Sequence, residues 1–131
     1  MPILRPATRG HRARRYGRWC ERGTLWLLWL RGWDPVQGNR REGRFELDLL
    51  VTRGDELRVV EVKARAAGAW AGADTALTFA QRLRLQVALR RYLNKVPWPG
   101  RLSFQRVSWS GWRWHCHPPE CWDALAPHRP A

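Results

Sequence analysis

The 131 residues have room for about one domain with a single core, and a hydrophobic content of 44% excludes wholesale disorder. A formal charge of +13 favours a polyanionic partner, nucleic acid before membrane, although such arginine-rich, lysine-poor usage is also what a GC-rich genome writes. Three unpatterned cysteines argue against a disulfide scaffold, and without an apolar leader or membrane-length run the chain reads as cytoplasmic with no membrane partner.

In chain order, residues 1–13 carry Pro, Arg and Gly and read as a basic N-terminal arm, residues 14–117 as the folded domain, and residues 118–131 as a Pro-rich irregular tail. Over residues 14–31, Trp19, Trp26, Leu27 and Leu30 recur near the helical period, and Gly32 is placed as a C-cap. Glu21 lies four residues before Leu25, which turns it towards the buried side, where a carboxylate wants either a neighbouring arginine or a site. Residues 33–41 predict a short strand with Pro35 near its start.

Residues 45–51 and 57–64 alternate polar and apolar, the signature of two half-buried strands. If Gly54 and Asp55 form the turn between them, Asp48 faces Glu61 and Glu46 faces Lys63 on one side of the hairpin. Phe45, Leu47, Leu49, Val60 and Val62 then form a core face on the other. Opposed carboxylates destabilise a ladder, and a shared cation would compensate them. Lys63 and Lys95 are the only lysines among 24 basic residues. A compact ammonium two residues after Glu61 marks a point donor suited to a water or phosphate oxygen.

Residues 66–74 are small and Gly-rich and predict a mobile loop, with Trp70 either stacking on a base or plugging the core. Thr78 to Gln81 fits a capping box opening a helix to about Asn94, with Phe79, Leu83, Val87, Leu89 and Leu93 apolar and Arg82, Arg84, Arg90 and Arg91 on a basic face. Strands follow at residues 102–109 and 112–117 around Ser110-Gly111. His115, Cys116, His117 and Cys121 raise a zinc reading, but Cys116 points away from the two histidines on a strand and no paired ligand spacing supports it.

The order helix, three strands, helix, strand, with Glu46-Leu47-Asp48 and Glu61-Val62-Lys63 on adjacent strands, resembles the αβββαβ core of PD-(D/E)XK restriction-endonuclease-like proteins. Over residues 15–115 the chain resembles the YraN-like bacterial family in particular. Glu21, Gly32, Asn39 and Arg41 fall at the spacing of that family's opening, Glu46-Leu47-Asp48 looks like its Glu-Ile-Asp, and Val60 to Arg65 like its Val-Glu-Val-Lys-x-Arg. Leu77-Thr78 opens the second helix as the family's Leu-Thr does. Departures are Cys20 for a Gly before Glu21, Arg44 and Phe45 between Gly43 and Glu46, and Ser103-Phe104-Gln105 for Arg-Phe-Asp.

The resemblance implies an α/β fold similar to archaeal Holliday-junction resolvases, a central mixed sheet flanked by helices, and a metal-dependent nuclease with Glu21, Asp48, Glu61 and Lys63 as its catalytic set. Asp48 and Glu61 would hold Mg²⁺ or Mn²⁺, with the Val62 carbonyl as a third ligand and Glu21 completing the shell through water. Lys63 would orient the attacking water or stabilise the developing charge, with Glu46 in support. Arg65, Arg82, Arg84, Asn39 and Arg41 are the expected nucleic-acid contacts, with DNA before RNA as the partner. A homodimer is expected, because cutting two strands together needs two sites. The rivals are a non-catalytic nucleic-acid-binding module and a zinc-dependent interaction protein.

Overall fold

The computed structural model describes residues 9–65 and 77–126, with side chains from Arg14 onward. The remaining stretches of the expected arm, loop and tail, Trp70 among them, lie outside the described residues. Helix α1 spans Arg9–Leu30 and is followed by β1 (Asp34–Glu42), β2 (Phe45–Arg53) and β3 (Glu56–Arg65). Helix α2 (Phe79–Lys95) leads into β4 (Arg101–Ser110), β5 (Arg113–Cys116), β6 (Glu120–Cys121) and a short 3-10 turn at Asp123–Leu125. The sheet runs β1-β2-β3-β4-β5, with β6 also on β4. Only β3 and β4 pair in parallel, because the connection between them crosses over through α2, so the sheet is mixed. This is the expected αβββαβ order, a restriction-endonuclease-like core.

Helix α1 starts at Arg9, five residues earlier than expected, and closes where expected. Gly32 takes φ +90°, and the Gly32 N–H to Trp29 and Trp33 N–H to Leu28 bonds, each 3.0 Å, form a Schellman motif. Its buried stripe is Cys20, Thr24 and Leu28 rather than Trp19, Trp26 and Leu30, which are exposed. The last two turns are apolar nearly all round, so periodicity did not choose the face; close approach did. A Cβ on Gly23 would sit 3.0 Å from the Trp109 ring, and Trp109 Nε1 donates to Thr24 Oγ1 at 2.8 Å. In α2 the Thr78–Gln81 capping box is present, but Phe79 and Leu83 are exposed. Leu89 and Leu93 are buried as expected, and Leu85, Ala88 and Tyr92 complete the buried face.

The helices cover opposite faces of the sheet and make two cores. Leu47, Leu50, Leu57, Val59, Leu102 and Phe104 pack with α2, whereas Leu49, Val51, Val60, Val107 and Trp109 pack with α1. Leu47 and Leu49 therefore lie in different cores, so the expected single core face does not hold: alternation along β2 breaks at Asp48. Over its described residues, up to Ala126, the tail is not irregular. β6 pairs with β4, Trp122 stacks on Phe104 at 4.7 Å, and Asp123 Oδ1 accepts the Leu102 N–H at 2.7 Å. The second lysine also has a structural use: Lys95 Nζ lies 2.7 Å from the buried Glu42, which Arg40 also pairs at 2.9 Å. Those two cations hold the Glu42 carboxyl below its ordinary pKa. Among the described residues no helix is long and apolar enough to cross a membrane.

Candidate active site

The β2–β3 hairpin turns at Gly54, φ +60°, and pairs in the expected register from Arg53 opposite Glu56 to Leu49 opposite Val60. There the β2–β3 ladder ends. Beyond it β2 follows β1, with Leu47 opposite Arg40 and Glu46 opposite Arg41. β3 follows β4 instead, from Glu61 opposite Arg106 to Arg65 opposite Ser110. The strands open into a fork because each keeps its outer partner. Asp48 and Glu61 are thus not the directly laddered pair the hairpin alone predicts, nor are Glu46 and Lys63. The fork is bridged by a side chain: Asp48 Oδ2 accepts the Val62 N–H at 2.9 Å. Val62 thus contributes its N–H to the fork.

Burial pushes the Asp48 carboxyl up to about 7, against the lowering effect of the Val62 N–H, and the charges of Glu21, Glu61 and Glu46 push the same way. Glu21 is also raised, first by burial; a hydrogen bond from Asn39 opposes this, Glu46 adds to it and Arg18 opposes it. Asn39 takes φ +48°, a left-handed conformation that asparagine tolerates. It sits on β1 between Arg40, paired with Leu47, and Gly38, paired with Leu49, and so beside Asp48. Asn39 therefore serves Glu21 within the site.

Glu61 is held by a residue that the sequence reading did not select. Arg106, only 4% exposed, places Nη2 3.0 Å and Nε 3.2 Å from Glu61 Oε2, and Nη2 also reaches Gln81 Oε1 at 3.3 Å. A signal existed: Arg106 shares strand parity with Leu102 and Phe104, so it sits on a face that is otherwise core. Lys63 is half-buried beside Ser108 and makes no hydrogen bond or ion pair among the described residues. Glu46, Glu61, Arg44 and Arg84 line a cleft of about 630 Å³ between the fork and α2. Arg82 is not at this mouth, because Glu120 grips it at 2.5 and 3.2 Å. Arg41 is exposed on β1 and Arg65 half-buried at the end of β3. In the His/Cys cluster weighed and set aside as a zinc site, His117 Nε2 lies 2.8 Å from Ser108 Oγ while Cys116 Sγ meets Arg31 at 3.5 Å, so the side chains turn to different partners.

The model of the uncharacterised protein family UPF0102 matches residues 20–116. The chain belongs to UPF0102, the YraN-like family. It is 38% identical over 119 residues to the UPF0102 protein of Parvibaculum lavamentivorans, covering 89% of this chain and 87% of that one. The Rhizobium meliloti protein is 32% identical over 122 residues, 92% and 98% of the two chains. The Acinetobacter baylyi protein is 35% identical over 97 residues, 74% and 69%. The UPF0102 segment contains the whole fork, from Glu21 through Asn39, Asp48, Glu61 and Lys63 to Arg106.

The donor set of this UPF0102 fork suits a hard cation. Four carboxylates share one electrostatic neighbourhood, and the most buried is unfavourable as an anion without a compensating charge. Among the described residues no three Asp, Glu, His or Cys side chains form a joint cage. Mg²⁺ is ordinarily held by one or two carboxylates, with water and substrate phosphate completing its shell, and Asp48 with Glu61 supplies that number.

Proposed function

We propose that this UPF0102 chain is a nuclease that hydrolyses phosphodiester bonds of nucleic acid, DNA before RNA, at the β2–β3 fork. The observation that carries this reading is Asp48, a half-buried carboxylate fixed by a backbone N–H among three other carboxylates, with Lys63 next along β3. Asp48 and Glu61 would hold Mg²⁺ or Mn²⁺, with Glu21 alongside and the Asn39 side chain favouring its charged form. The bound cation supplies Lewis acidity and lowers the pKa of a water. The Val62 N–H keeps Asp48 in one orientation, so no side-chain freedom is lost when the site fills. Lys63 brings a compact positive charge for a phosphate oxygen, and Arg44 and Arg84 offset phosphate charge at the cleft. A panel of duplex, branched and single-stranded DNA and RNA, incubated with Mg²⁺ or Mn²⁺, tests it. Metal-dependent cutting that Asp48→Asn loses is expected; no cutting of any substrate with either metal would overturn the reading.

One observation favours a second reading, a binding module that does not cut. Arg106 already neutralises Glu61, one of the two carboxylates the cation would need. Calorimetry separates the two: if Mn²⁺ fails to bind even with nucleic acid present, the module is the better description.

The arginines of α2 divide by their partners. Arg84→Gln is expected to flatten the log–log salt dependence of nucleic-acid binding by about 0.7–0.9, one phosphate contact. Arg82→Gln should leave the slope in place, because Glu120 already occupies that guanidinium. Equal slopes for wild type and Arg84→Gln would remove this helix from the interface.

A further inference from the structure

At the tip of the β4–β5 hairpin Trp112 is 81% exposed, with Trp114 at 47% and Trp19 of α1 at 41%. These rings form one cluster. Trp112 meets Trp19 edge-on at 4.9 Å, Trp19 meets Trp109 at 5.5 Å, and Trp109 lies tilted against Trp114 at 5.5 Å. The base of the cluster is fixed, since Trp109 donates to Thr24 and Tyr16 Oη donates to the Gly111 carbonyl at 2.8 Å. A contiguous exposed aromatic surface built on a rigid base marks a binding surface more than a solvated one.

The surrounding charge says what fits. Arg15 and Arg22 lie four residues before and three after Trp19, on its face of the helix, and Arg113 separates Trp112 from Trp114. A shallow depression of about 600 Å³ is lined by Trp112, Arg113, Trp114 and His115, with no carboxylate. Aromatic faces interleaved with arginines match a ligand that alternates flat π-faces with anionic links, as unpaired bases and phosphates do.

The sheet register relates this shelf to the fork. Lys63 pairs with Ser108, which pairs with His115; one row on, Ala64 pairs with Trp109, which pairs with Trp114. Trp114 thus lies two strands across from Ala64, on the order of 10 Å at strand spacing, on the face of the sheet covered by α1, whereas Glu61 and Lys63 have the opposite parity and face α2. We infer that the shelf binds an unpaired strand of nucleic acid, base faces against Trp112 and Trp114, so that the substrate class is one carrying a single-stranded tail or loop. The substrate part of this inference rests on the nuclease reading above; the binding part does not.

The test is metal-free binding of the full chain to a fluorescein-labelled oligothymidine and to a blunt DNA duplex. Oligothymidine is expected to quench tryptophan fluorescence, and Trp112→Ala to weaken its binding about tenfold, the effect of losing one stacked base. Trp112→Phe should keep most of the affinity, and duplex binding should be unaffected by either change. Unchanged oligothymidine affinity in Trp112→Ala, or an equal loss on duplex, would overturn the shelf. So would sedimentation showing a dimer that Trp112→Ala dissociates, since the surface would then belong to a second copy. Because no metal is present, oligothymidine binding that depends on Trp112 in a protein that cleaves nothing would sink the nuclease and leave the shelf standing.

Discussion

Asp48→Asn is expected to abolish cleavage and yet make the metal-free protein more stable at alkaline pH. The two effects share a cause. The Asp48 carboxyl sits at about 7 in the fold against an ordinary 3.8, because burial and neighbouring carboxylates penalise its charge. Between those values the folded protein keeps a proton that the unfolded chain has released. The stability conferred by the protonated group is complete below about 3.8 and is lost as pH rises through about 7. At about 1.4 kcal/mol per pH unit, the loss is on the order of a few kcal/mol. Asparagine can still accept the Val62 N–H but never ionises, so its stability curve lacks this descent. The cost of ionisation is also the reservoir that cation binding draws on, so Mn²⁺ should protect wild type more at pH 8 than at pH 5 and protect Asp48→Asn little at either. Urea unfolding at both pH values, with and without Mn²⁺, measures it. Parallel pH profiles for the two proteins would show that Asp48 is not the strained group.

Lys63→Ala is the companion to that experiment, because it removes a charge without removing a ligand. Cleavage should be lost while Mn²⁺ affinity in calorimetry stays near wild type. Lys63→Arg should rescue incompletely, since a planar guanidinium cannot replace a point donor. If Lys63→Ala cuts at the wild-type rate, Lys63 has no part in the cleavage step.

How much of this was legible beforehand depends on whether a feature is local. The strands β2 and β3, the Gly54 turn between them, the Schellman close at Gly32 and the Thr78–Gln81 box are each written within a few residues, and each is found. The fork was not legible, because it rests on distant partners: β1 and β4 hold the outer edges of β2 and β3 past the point where the hairpin ladder stops at Leu49 and Val60. For the same reason Asp48 was read as opposed to Glu61 and not as a bridge to Val62. The buried stripe of α1 was misjudged where Trp and Leu surround the helix and small residues decide the packing. The tail was misjudged because prolines at 118 and 119 hid a two-residue strand and a tryptophan seated on Phe104.

Arg106 gives the other large effect. Its guanidinium is almost wholly buried and Glu61 is 21% exposed, so the pair behaves as a buried one at its shallow edge. Arg106→Leu leaves Glu61 without that counter-charge. Removing one partner of a buried pair costs about 3–5 kcal/mol, and the partial exposure of Glu61 puts the expected loss near the lower end. The same change frees the carboxylate for a cation, so Mn²⁺ affinity should rise about tenfold, the size of one charge-assisted hydrogen bond to a charged group. Saturating Mn²⁺ should then recover much of the lost stability, because a ligand that binds only the folded state stabilises it in proportion to its occupancy. Glu61→Gln combined with Arg106→Leu should cost less than the two single changes together, since the uncompensated charge is gone. Thermal unfolding of the three variants with and without Mn²⁺, alongside calorimetric titration, reads all of these quantities. A folded Arg106→Leu protein that binds Mn²⁺ no more tightly than wild type would show that Arg106 does not compete for Glu61, and its role would be confined to anchoring β3 against α2 through Gln81.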